Sequence, residues 1–113
     1  MNKSIRIGGA SGFWGDSYRA TEQLIQDTTL DFIVYDYLAE ITMSIMARAR
    51  AKSPSAGYAT DFIDAVIKPY IKRISTHNTR LISNAGGVNP EKCAEVISDC
   101  LLYTSPSPRD GIL

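Results

Sequence analysis

The feature that most limits the fold of this chain is an alternation of two periods. Short apolar runs ending in small or acidic residues are each followed by segments whose apolar residues recur at helical spacing. Ser4-Ile5-Arg6-Ile7 is β-branched and stops at Gly8-Gly9, which reads as a strand entering a loop. Asp31-Phe32-Ile33-Val34-Tyr35-Asp36 is nearly continuous in apolar residues and suits a second strand covered on both faces. Arg80-Leu81-Ile82-Ser83-Asn84 supplies the third.

The intervening segments read as helices. Asp16 or Ser17 can cap the first, with Leu24, Ile25 and Thr28 on its inner side. A second begins near Leu38, with Leu38, Ile41, Ile45, Met46 and Ala49 forming one apolar stripe, and Ser53-Pro54-Ser55-Ala56-Gly57 breaks it. A third runs from about Thr60 to Ile74, and Pro69 is expected to bend it by removing a backbone donor and crowding the previous turn. Asn89-Pro90 starts a fourth, a cap residue followed by proline, and Cys93, Val96 and Ile97 form its buried side. The order β-α-β-α-α-β-α predicts an α/β fold: an incomplete open parallel sheet of three strands, with flanking helices on its faces. Three strands cannot close a two-sided domain, so at least one edge is expected to await more chain.

Charge and composition narrow the partners. Twelve basic and twelve acidic residues cancel. Without a basic field, nucleic acid is not an expected partner. No apolar run approaches the roughly 20 residues that cross a bilayer, so no membrane partner is expected either. Cys93 and Cys100 are the only thiols, and no apolar signal core follows the first residues. Both features fit a soluble protein of the reducing cytoplasm.

The last residues differ in character. Cys-Leu-Leu-Tyr-Thr-Ser-Pro-Ser-Pro-Arg-Asp, positions 100 to 110, is the translation of a common transposon-type sequencing adapter. Residues 100–113 are therefore expected to be a non-native tail, and residues 4–99 the native part of a truncated domain. Removing Arg109 and Asp110 takes one charge of each sign, so neutrality persists.

In open α/β sheets the ligand crevice lies beyond the carboxyl ends of the strands. Those ends carry Gly8-Gly9-Ala10-Ser11-Gly12-Phe13-Trp14-Gly15-Asp16, then Asp36-Tyr37-Leu38-Ala39-Glu40, then Asn84-Ala85-Gly86-Gly87. Gly9, Ser11, Gly12, Asp16, Gly86 and Gly87 are the candidate ligand-binding residues; Asp36, Glu40 and Asn84 are the candidate catalytic ones. The glycine loop suits a phosphate or acyl-phosphopantetheine group at a helix start, or is a tight strand-to-helix turn. It lacks the glycine spacing of a dinucleotide fingerprint and the lysine of a Walker loop. Asp36 and Glu40 either act as acid and base or on a cation, or simply cap and stabilise a helix start. Asn84 with Gly86 and Gly87 orients a carbonyl or hydroxyl, or forms a plain turn. Ser11 lacks the second glycine of a nucleophile elbow, and the single histidine, His77, falls at the opposite end of the third strand. Trp14 is a lid or a core plug, and Cys93 reads as inert packing. No metal site is expected, and the motifs single out no cofactor.

Three of these segments also carry a resemblance. Ile-Arg-Ile-Gly-Gly-Ala-Ser-Gly-Phe-Trp-Gly-Asp from Ile5, Asp36-Tyr37-Leu38-Ala39-Glu40-Ile41-Thr42-Met43, and Ser83-Asn84-Ala85-Gly86-Gly87-Val88-Asn89-Pro90 resemble the acyclic terpene utilisation protein A family, as does Gly57-Tyr58-Ala59-Thr60-Asp61-Phe62. The resemblance implies a cytosolic catabolic protein that breaks down citronellol- and geraniol-like terpenoids through coenzyme A thioesters. It implies a longer parent, with further α/β chain after this point, so the missing remainder of its own chain is an expected partner. An acyl-CoA is the expected small-molecule substrate, and a non-catalytic ligand-binding or assembly subunit is the alternative. The resemblance assigns no catalytic residue. The piece alone is expected to be inactive, because half the crevice is missing.

Overall fold

A computed structural model describes residues 4–104 apart from positions 17 and 28; of 103 and 104 it describes the backbone only. Ser17 as a cap, Thr28 as an inner-face residue and the end of the expected tail lie outside the described residues.

Three strands, β1 (Ile7–Ser11), β2 (Phe32–Tyr35) and β3 (Arg80–Ser83), form one sheet in the order β1-β2-β3. Both pairings are parallel, with Ile33 opposite Gly8 on one side and Leu81 on the other. Helices α1 (Ala20–Leu24), α2 (Glu40–Lys52), α3 (Lys68–Thr76) and α4 (Pro90–Thr104) complete the chain, and a π-helical stretch, Phe62–Ile67, runs directly into α3. This is the expected α/β order and an open parallel sheet.

Two crossovers of one hand that step the same way across a sheet return over the same face. The burial agrees: Gly8, Ala10, Ile33 and Tyr35 are buried, whereas Ile7, Gly9 and Ile82 on the alternate positions are exposed. β2 is therefore covered on one face, not two; Phe32 and Val34 are only half-buried. The core gathers that face with Ile25 after α1, the π-helical residues Phe62, Ile63, Val66 and Ile67, Ile74 of α3 and Cys93 of α4.

Three element starts differ from the sequence reading. β1 begins later than expected, so Gly8 and Gly9 lie within the strand instead of in a loop. A Cβ on Gly8 would stand 3.0 Å from Leu24 and 3.1 Å from Leu30, so glycine lets these two leucines close onto the strand. α1 starts only at Ala20, after Arg19, because the Asp16 carboxylate accepts the Gly12 N–H at 2.9 Å and does not cap the helix. α2 starts at Glu40 rather than Leu38, and its first turn is held by Thr42, whose hydroxyl meets the Ala39 N–H at 2.6 Å and the Ala39 carbonyl at 2.8 Å. Pro69 lies directly after the π-helical stretch, inside the continuous helical run from Phe62 to Thr76, and the wider π-helical turn before it makes room for its ring. α4 runs to Thr104, since Cys100 continues the apolar stripe of Cys93, Val96 and Ile97 against the core.

Candidate functional site at the carboxyl ends of the strands

The register of β1 against β2 slips after Gly9: Gly9 faces Val34, but Ser11 faces Tyr35, leaving Ala10 as an extra residue. A bulge of this kind re-aims the side chains beyond it. Here it sets Ser11 beside the end of β2. The Ser11 hydroxyl donates to the Asp36 carbonyl at 3.3 Å, and the Asp36 N–H donates to the Ser11 carbonyl at 3.2 Å. From the far side, Asn84 Nδ2 donates to Asp36 Oδ1 at 2.8 Å, and the Tyr37 N–H donates to Asn84 Oδ1 at 2.9 Å. Asp36 Oδ1 also takes the Leu38 N–H at 3.2 Å, closing a tight turn. Ser11, Asp36 and Asn84 are thus joined across all three strand ends.

The other candidates divide. Asp16 lines a small cavity beside Ser11, and its carboxylate occupies the Gly12 amide. Glu40 is exposed at the start of α2, and among the described residues no hydrogen bond or ion pair links it to Asp36. Gly9 sits within β1 on the uncovered face, away from the loop expected to hold a ligand. Gly86 and Gly87 occupy a packed turn. A Cβ on Gly86 would lie 2.8 Å from Pro90, and one on Gly87 would lie 2.4 Å from Met46 Sδ and 2.7 Å from the Gly57 carbonyl.

The cavity, of about 20 Å³, lies between Ala10, Ser11, Tyr35 and Tyr37 on one side and Asp61 and Val66 on the other. Space of that size admits one oxygen-sized group. Its polar walls are Tyr18, which donates to Asp61 Oδ2 at 3.2 Å, and the buried pair of Tyr35 and Thr21 hydroxyls at 2.6 Å. The Tyr35 and Tyr37 rings stack with centroids 6.2 Å apart, and the Phe62 ring meets both edge-on. Burial pushes Tyr35 up to about 12, partly offset by its Thr21 hydrogen bond. Burial also raises Tyr37, helped by Tyr35, Asp61 and Tyr18. The Asp61 charge, then its hydrogen bond, raises Tyr18. All three therefore remain protonated phenols at neutral pH, and Tyr18 donates to Asp61.

The sequence reading missed Tyr18, Thr21, Tyr35, Tyr37 and Asp61. Two signals were present: Tyr35 and Tyr37 are spaced by two, as same-face strand residues are, and Asp61 belongs to the Gly57–Phe62 motif.

A family model for the acyclic terpene utilisation family protein AtuA matches residues 5–104. The chain belongs to the AtuA family. Membership ties it to acyclic terpene utilisation. No curated protein and no solved structure matches it.

The matched span of this AtuA chain takes in every strand end and the whole cavity wall. His77 caps α3 at the amino end of β3, remote from the site. Trp14 is half-buried against the core and does not line the cavity. The Cys93 thiol is buried and its pKa raised by that burial, so it stays protonated and unreactive. Among the described residues of the AtuA chain, no group of three or more His, Cys, Asp or Glu side chains is placed to hold a metal. No described helix is long and apolar enough to cross a membrane.

Proposed function

We propose that this chain is the N-terminal part of a longer cytoplasmic protein that binds and acts on a branched acyl-CoA ester during acyclic terpene breakdown. The observation that carries the reading is the hydrogen-bonded row Ser11, Asp36 and Asn84 across three parallel strand ends, where open α/β sheets hold their ligands. Ser11, Gly12 and Asp16 contact the polar part of the ligand, and Asp36, Glu40 and Asn84 orient its reacting end. Because Asp16 already holds the Gly12 N–H, an anionic group reaches that amide only in competition with Asp16. Gly9, Gly86 and Gly87 act through the backbone they allow, not through contact.

More α/β chain from the same protein packs where this piece is open. Its support is the bare sheet face, with Ile7 62% and Ile82 51% exposed, and the apolar groove of about 530 Å³ lined by Leu81, Ile71, Ile74 and Ile97. The test is Asp36→Ala in the longer protein: lost turnover of a branched acyl-CoA with retained binding supports the enzyme. A second reading, a non-catalytic binding or assembly subunit, is favoured by one fact: Asp36 and Asn84 are both engaged by backbone amides, as structural side chains are. Binding without turnover by the unmodified longer protein would select it.

A further inference from the structure

We infer that the outer edge of β3 receives a fourth parallel strand from the same protein, the one that follows α4. The topology fixes where it lands. β1, β2 and β3 step one way across the sheet, both pairings are parallel, and both crossovers return over the face that holds Ile33 and Tyr35. α4 leaves the carboxyl end of β3 and returns over that same face. Its Cys93 lies in the core, the helix packs against α3 and the π-helical stretch, and Ile97 reaches back to a groove shared with Ser75 and Thr79 before β3. A crossover of the same hand over the same face steps the same way, so its strand arrives beyond β3. Pairing outside β1 would need a helix on the uncovered face.

The edge has a place ready for such a strand. Arg80 donates its N–H to the Asp31 carbonyl at 2.9 Å, so Arg80 and Ile82 turn their backbone groups to β2. Leu81 and Ser83 turn theirs outward, where no strand pairs with them among the described residues. The Leu81 side chain points into the covered face like its β2 partner Ile33, yet Ile33 is fully buried and Leu81 only partly. Beside Leu81 runs the apolar groove of about 530 Å³, with Ile71, Ile74 and Ile97 on its walls. A parallel strand fills both gaps at once: its backbone takes up the Leu81 and Ser83 groups, and its inward apolar residues fill the groove. The opposite edge is blunted. β1 carries the bulge at Ala10, which disrupts the ladder of an edge strand, whereas β3 keeps an unbroken register. Being parallel, the new strand ends beside Asn84 and brings a fourth loop to the row of Ser11, Asp36 and Asn84.

The inference rests on the proposed reading that the chain continues in a longer protein. Amide hydrogen exchange of that longer protein, read by NMR, tests it. The Leu81 and Ser83 amides should exchange at least about 100-fold slower than unstructured amides and within about tenfold of Ile82, whose N–H already faces β2. Exchange of Leu81 and Ser83 near the unstructured rate overturns the inference. Slow exchange at Ile7 and Gly9 in their place overturns it too, since it sets the next strand against β1. The same spectra give the direction of the partner. Close contacts between Cα hydrogens across β3 and its new neighbour belong to antiparallel pairs, and finding them overturns the parallel strand. A second copy paired through β3 would produce them, because a two-fold axis sets β3 antiparallel to itself. Branched acyl-CoA binding with Leu81 and Ser83 unprotected sinks the fourth strand and leaves the proposed function standing. Protected Leu81 and Ser83 with parallel contacts, but no acyl-CoA binding, upholds the strand and sinks the function.

Discussion

Asn84 bridges two strand ends to Asp36: its amide donates to the carboxylate at 2.8 Å while its carbonyl oxygen takes the N–H of the next residue, Tyr37, at 2.9 Å. One side chain thereby fixes the spacing of β2 and β3 where the ligand is proposed to sit. Asn84→Ala is expected to lower stability by about 1 kcal/mol, one or two ordinary hydrogen bonds. Asn84→Asp should cost more at neutral pH, because it sets a second carboxylate against Asp36, and the excess should fade as pH falls into the carboxylate range. Urea unfolding of the two variants at neutral and mildly acid pH checks both.

The glycines of the site separate into those the packing requires and one it does not. Gly87 has φ of 55° and no room for a Cβ beside Met46 and Gly57. Gly87→Ala should lose about 1–3 kcal/mol from strain and displacement. Gly9 has nothing within 4 Å of the place a Cβ would take, so Gly9→Ala should change stability by less than about 0.5 kcal/mol. Thermal unfolding of the pair reads the contrast, and a neutral Gly87→Ala would contradict the turn described.

The Tyr35 and Thr21 hydroxyls form a buried pair, so removing one should hurt more than removing both. Thr21→Val and Tyr35→Phe should each cost about 1–3 kcal/mol, and the double variant less than their sum. A double-mutant cycle by chemical denaturation measures the coupling.

Alkaline titration tests the same cluster. The folded state raises Tyr35 from 10.0 to about 12 and shifts Tyr37 in the same direction. The fold therefore holds their protons more tightly than the unfolded chain does. This contribution to stability is complete below the unfolded value, declines as pH rises above about 10 and is lost past the folded values. The unfolding midpoint should fall across that window, and the fall should be smaller in Tyr35→Phe.

How legible the molecule was depended on whether a pattern is local. β2, β3 and the long third helix are written in periodicities that survive without context, and Asn89-Pro90 marks the start of α4 directly. β1 was misplaced because Gly8-Gly9 is ordinarily a stop signal; only the parallel partner β2 and the leucines over Gly8 make it a strand. The expected α2 stripe is not the packed face: Thr42 and Met46 are buried, while Ile41 is 70% and Ile45 46% exposed, because one-sided crossovers leave nothing over that part of the helix. Ser11, Asp36 and Asn84 were found together because parallel topology alone brings strand ends to one edge. The tyrosine cavity was not, since it depends on Tyr18 and Asp61, 43 residues apart, meeting across the end of the sheet.

The central claim is that the carboxyl ends of the three strands form the ligand site. Amide chemical-shift mapping of the longer protein with a branched acyl-CoA thioester tests it most directly. The account predicts shifts concentrated at Ser11, Gly12, Asp16, Asp36, Tyr37 and Asn84. Shifts gathered instead around Asp31, Asn78 and Arg80, at the amino ends of the strands, would contradict it.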